Sequence, residues 1–192
     1  MAEPAQGTLL SPLTDVAAMR ILLGDLHDDL MGKVARFHQL AELSESLGPS
    51  GTMLPGGETT FAAWSEARSS FVHGNFVATV LLCQSLAEHT LAAHLSLGLY
   101  AEELPARITF QETLNRCIAK SEITAADAVD LRRLMALRNP LSHYRSVDDP
   151  SNLSRRALDS RIPTQAHLLN DATFAISMAI RILSLPAFRL GD

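Results

Sequence analysis

The run Phe76-Val77-Ala78-Thr79-Val80-Leu81-Leu82-Cys83-Gln84-Ser85-Leu86-Ala87-Glu88-His89-Thr90-Leu91 decides the fold. Followed on to Leu97, its apolar side chains fall on most faces of a helix and not on a single stripe. Such a helix has to be enclosed by others. The stretch therefore predicts the central element of a bundle. Gln84, Glu88 and His89 are the exceptions, and polar groups on an enclosed helix need partners. Together with His94 they mark residues 76–99 as a core helix and not a membrane span.

Upstream, Phe61, Trp64, Ala67 and Phe71 carry a helix over Thr60 to His73, which Gly74-Asn75 breaks. Further upstream, Ser11-Pro12 is a helix start, with serine as cap and proline at the first helical position. Val16, Met19, Leu22, Leu23, Leu26, Leu30, Val34 and Phe37 follow at helical spacing, with Gly24 and Gly32 as places to bend or divide. The stretch from Gly48 to Gly57 is the clearest loop. The organisation read here is a disordered tail over 1–10, an N-terminal helical segment and loop over 11–57, and a bundle over 58–187.

Downstream, Leu104-Pro105 marks a connection, and Thr109-Phe110-Gln111-Glu112 has the pattern of a capping box opening a fourth helix. Thr124 begins a fifth, bearing Val129, Leu131, Leu134 and Leu137. Proline inside a helix costs roughly 3 kcal/mol and biases the preceding residue toward extended geometry. The fifth helix is therefore expected to end or kink at Asn139, before Pro140, or to restart there with Asn139 as cap. A loop around Asp148-Asp149-Pro150, a short helix over Leu153 to Asp159 and a last helix from Pro163-Thr164 to Pro186 complete the chain. Strand-period alternation and internal repeats are absent. The fold class is all-α, an antiparallel helical bundle with an additional N-terminal helical segment.

Composition narrows the function. Of 192 residues 47% are apolar and 5% aromatic, and the net charge is −5, which disfavours a surface coated for general nucleic-acid binding. Cys83 and Cys117 lie in helical patterns without metal spacing, as expected of reduced thiols in a cytoplasmic protein. Residues 1–7 lack the features of a secretory signal. His89 and His94 miss the i,i+4 spacing of paired ligands, and with His73 they do not make a convincing metal site. His27, His38 and His167 read as surface. Walker A, GxGxxG and GxSxG strings are absent, and no cofactor is implied.

The chemistry concentrates at Arg138-Asn139-Pro140-Leu141-Ser142-His143. Arginine presents a permanently charged fork to phosphate oxygens, and histidine exchanges protons near neutral pH. Metal-free RNA cleavage needs both abilities. On an unbroken helix, side chains five residues apart point about 140° from each other; the break at Pro140 would let them converge. Residues 131–161 contain seven arginines and three acids, a net +4 that leaves −9 for the remainder. A local polyanion site fits that pattern.

This Arg-Asn-x-x-x-His string, with Phe71-Val72-His73-Gly74-Asn75-Phe76 leading into a helix with Leu86-Ala87-Glu88, resembles the HEPN superfamily over roughly residues 60–185. The resemblance implies a HEPN-like bundle and a metal-independent endoribonuclease, a toxin or antiviral effector. Arg138 would stabilise the scissile phosphate, His143 would transfer protons, and Asn139 would orient the site. A homodimer would bring two motifs into one composite cleft, with RNA as substrate and an antitoxin or regulatory protein as a further partner. Some HEPN toxins carry a modified tyrosine two residues after the histidine; here Tyr144 follows His143 directly. Tyr144 and Glu88 are supporting candidates, and Arg132, Arg133, Arg145, Arg155 and Arg156 are RNA-binding candidates.

Blander roles compete with each of these. His143 fits a turn after a helix, Arg138 fits a helix C-terminus through the macrodipole, Asn139 fits a cap, Glu88 fits a core hydrogen bond, and Arg155, Arg156 and Arg161 fit solvated surface. At the level of function, the alternatives are a non-catalytic HEPN-like module binding nucleotide, RNA or protein, and an antitoxin or adaptor using its acidic remainder.

Overall fold

The structure is a computed structural model, and it describes residues 14–97 and 103–190. Among these, eight α-helices follow one another: α1 Asp15–His27, α2 Leu30–Ser44, α3 Gly57–His73, α4 Phe76–Leu95, α5 Phe110–Ala119, α6 Ala125–Ser142, α7 Leu153–Ser160 and α8 Thr164–Leu183. There is no named strand among the described residues, only an isolated bridge between Thr52 and Arg189. The protein is an all-α helical bundle.

The helix read as central is central. Helix α4 packs against α3, α5, α6 and α8. Ten of its twenty residues are buried, so no single face is left to solvent. Helix α8 offers it small side chains at Ala172, Ala175 and Ala179, all fully buried, and this 3-4 spacing lets the two axes approach closely. Leu86, Leu91, Leu114, Leu131, Leu134, Ile176 and Phe188 fill the surrounding core. Burying each such side chain stabilises the fold by about 1.5–3 kcal/mol. Cys83 and Cys117 are buried and outside any disulfide, and burial pushes the Cys83 thiol far above its usual range.

The polar exceptions on α4 find simple solutions. Gln84 Nε2 donates to Glu88 Oε2 at 2.7 Å, a pairing within one helix face. His89 is exposed. His94 contacts Glu122 at 3.0 Å and stands edge-on to the Phe188 ring.

Helix directions follow from cross-contacts. Arg36 of α2 donates to the Val72 carbonyl near the end of α3. Arg181 near the end of α8 pairs with Asp127 at the start of α6, and Arg133 of α6 lies over the Phe174 ring of α8. Helix α6 therefore runs antiparallel to α8. One pole of the bundle gathers the starts of α2, α4 and α8 with the ends of α3 and α6. Gly74 turns the chain there at φ 84°, with the Asn75 N–H donating to the Ser70 carbonyl, a Schellman-type closure that favours glycine.

Three local expectations need correction. The N-terminal segment divides at Asp28-Asp29 and not at a glycine; Asp29 takes the left-handed conformation at φ 50°, which a short polar side chain tolerates. Helix α2 packs against α3, so this half of the N-terminal segment belongs to the bundle and α1 alone stands clear. The reciprocal capping box forms at Thr124/Asp127. Thr109 does cap α5, but Glu112 turns instead to Arg116. Ser11-Pro12 lies outside the described residues, and Thr14 caps the described helix.

Candidate functional site

Helix α6 does not stop at Asn139. It runs through Pro140 to Ser142, three residues further than its sequence predicts. Proline lacks the N–H that would donate to the Ala136 carbonyl. So near the helix end, this loss falls in a turn that can be tightened by other donors. Ser142 Oγ supplies that tightening, donating to the Arg138 and Asn139 carbonyls, and the His143 N–H closes the turn on the Asn139 carbonyl at 3.0 Å.

Arg138 and His143 nevertheless meet. Arg138 Nη1 lies 3.4 Å from His143 Nε2. The cause is the backbone of His143, the first residue outside the helix, at φ −129° and ψ 137°. Relative to a helical φ, this swings its Cβ by about 65° around the N–Cα bond. Helix termination at His143, and not a break at Pro140, produces the convergence. The contact exceeds the usual 2.7–3.2 Å of a strong N–H donor, and no carboxylate bonds either group among the described residues. His143 is exposed and Arg138 half-buried. A fork and an imidazole thus share one open surface.

The other candidates are distributed around this pair. The Asn139 side chain makes no hydrogen bond among the described residues; its contribution is its carbonyl, which any residue would supply. Tyr144 is 93% exposed. Glu88 is engaged by Gln84 and has no bond to Arg138 or His143. On α6, Arg132 donates to Gln111 Oε1 and Arg133 stacks on Phe174, so both keep an uncompensated charge.

The remaining candidates, Arg145, Arg155 and Arg156, are held by acids. Arg145 faces Asp149 at 4.0 Å, and Arg155 bonds Asp159 at 2.9 Å. Bonds from the Ser151 side chain and backbone, with a smaller push from Arg145, hold the Asp149 carboxyl below its usual range. Arg156 forms a bidentate pair with Asp171 at 2.6 and 3.0 Å, and these bonds push its guanidinium further up. The +4 segment is therefore less basic in three dimensions than in sequence. Asp171, from outside it, neutralises Arg156, while Arg132, Arg133, Arg138 and Arg161 have no acid partner among the described residues.

Two residues absent from the candidate set position the site. Asn152 Oδ1 caps α7, while its Nδ2 donates to the Arg145 carbonyl at 3.1 Å, fastening the chain just after His143. Asp171, through Arg156, fastens α7 to α8. The cap at Asn152 was legible as an asparagine before a short helix. The pairing of Arg156 with Asp171 spans 15 residues and has no local signal. No group of three His, Cys, Asp or Glu side chains suited to a metal ion occurs among the described residues.

Comparison of the chain with protein-family models, curated proteins and solved structures found no match.

Proposed function

We propose that the protein is a metal-independent endoribonuclease of the HEPN type, with RNA as its substrate. The observation that carries the proposal is the 3.4 Å approach of Arg138 to His143 on an open surface. In the proposed reaction the 2′-oxygen of a ribose attacks the adjacent phosphorus, and the bond from phosphorus to the 5′-oxygen breaks. The proton of the 2′-hydroxyl is lost and one is gained by the leaving 5′-oxygen. His143 handles a proton transfer, and the Arg138 guanidinium offsets the charge that builds on the phosphoryl oxygens. The products are a 2′,3′-cyclic phosphate and a 5′-hydroxyl. Arg132 and Arg133, six and five residues before Arg138 on α6, lack an acid partner among the described residues but point roughly 120–140° around the helix from it, so they add to the positive field near the site without sharing Arg138's face.

The test is cleavage of single-stranded RNA by the purified chain in EDTA, with end-group analysis. His143→Ala should lose about 10²- to 10⁴-fold in rate, the usual contribution of a positioned acid–base group. Cleavage by His143→Ala at the wild-type rate, or loss of wild-type cleavage on adding EDTA, would overturn the proposal.

A further inference from the structure

Helix α1 has no buried residue and does not pack extensively against any other described helix. Yet Met19, Leu22, Leu23 and Leu26 are each more than half exposed, and Val16 and Ile21 likewise. A helix of 13 residues is marginal in water unless an apolar face is buried. It is also firmly aimed. Lys33 Nζ donates to the carbonyls of Asp25, Leu26 and Asp28, capping the end of α1. Arg36 ties the start of α2 to Asp29 and to the Val72 carbonyl. The arm is thus presented from the pole at which α6 ends.

We infer that α1 is the contact face between two copies of this chain, paired antiparallel through Val16, Met19, Leu23 and Leu26. The inference is independent of any ribonuclease activity. These four positions are spaced 3-4-3, the seam of a coiled pair. Reversed about Ile21, the set maps onto itself: Val16 falls opposite Leu26, and Met19 opposite Leu23. Self-complementarity is what a two-fold contact demands.

Val16, Met19, Leu22, Leu23 and Leu26 lie within about 120° of one face of α1 and together expose roughly 500 Å², the size of the largest patch on a typical monomer. One such face from each copy reaches the roughly 1,000 Å² total of a specific interface. Charge disfavours a membrane as the occupant. From Asp15 to Lys33 there are four acids and two bases, and Lys33 is spent on carbonyls. A membrane-surface helix is instead rich in Lys and Arg on its polar face.

Sedimentation velocity of the full chain should give twice the 20.8 kDa chain mass at micromolar concentration. Met19→Glu/Leu23→Glu/Leu26→Glu should sediment as a monomer that keeps the cooperative melt of the bundle, since none of the three contributes to the core, and should lose helical dichroism for no more than the 13 residues of α1. If that variant fails to fold, Met19→Cys/Leu23→Cys should form a disulfide-linked dimer on mild oxidation, whereas Val129→Cys on α6 should not. A wild-type monomer overturns the inference. So does a wild-type chain that pellets with phosphatidylcholine or phosphatidylglycerol vesicles and self-associates only there. A folded triple-glutamate variant that still dimerises, or equal cross-linking at Val129→Cys, overturns it as well.

Discussion

Replacing Asp171 by alanine tests the chain of contacts that positions His143. The Asp171 side chain is 8% exposed and that of Arg156 26% exposed. Removing one partner of a buried pair costs about 3–5 kcal/mol, because it strands a charge. Arg156 is not fully enclosed and sits on a helix of eight residues that can swing outward. The stranded charge can therefore reach water, and the cost should fall to about 2 kcal/mol, within the range for hydrogen bonds to charged groups. In a domain of this size the melting temperature should drop by about 4–8 °C. Helix α7 is too short to persist without its anchor, so amide exchange over 153–160 should rise most. Its release loosens Asn152 and, through the Arg145 carbonyl, the chain beside His143. The decisive control is Arg156→Met/Asp171→Leu, which replaces the pair by apolar packing and should recover most of the lost stability. A melting temperature for Asp171→Ala within 1 °C of wild type, with unchanged exchange over α7, would refute the reasoning.

Three further outcomes follow from single contacts. Burial pushes the Asp127 carboxyl up, but bonds from the Thr124 side chain and backbone and from Arg181 outweigh it and hold it below the usual range. Its folded pKa being the lower one, this stability is present above the unfolded value near 4 and is lost as pH falls through the folded value; Asp127→Asn should flatten the acid limb of a melting-temperature profile, and an unchanged limb would count against the assignment. Pro140→Ala restores an N–H toward the Ala136 carbonyl and should stabilise the protein by at most about 1 kcal/mol, because near a helix end the penalty falls well below the roughly 3 kcal/mol of an interior proline and the freer unfolded chain offsets part of what remains; a marked loss of helicity on calorimetry and dichroism would show that α6 depends on the proline. Leu91→Ala, at a fully buried position of α4, should cost about 2–5 kcal/mol in denaturant melts, whereas Leu158→Ala on the exposed face of α7 should stay within about 0.5 kcal/mol.

The bundle was legible because helix-forming signals are local. Apolar periodicity named α3, α4, α6 and α8, and caps, Gly74 and Pro186 punctuated them to within a few residues. Pro140 misled for a reason that is also local. The full penalty of a proline belongs to a helix interior; near a C-terminus it is small enough for Ser142 and His143 to close the turn. The Arg138–His143 pair was correctly brought together, but through the backbone of His143 and not through a broken helix.

What the sequence by itself determined was most of the helices, the centrality of Phe76–Leu95 and the pairing of Arg138 with His143 as the candidate site. What only the tertiary structure decided was which charges remain available and which apolar face stays open. Arg156 and Arg155 count equally in a sum over residues, yet one is clamped by Asp171 from α8 and the other merely paired along α7. Val16, Met19 and Leu23 have the same spacing as a core helix, yet no described helix covers them. Periodicity records which side chains share a face. Whether another element covers that face, or an acid neutralises that charge, depends on contacts between residues far apart in the chain.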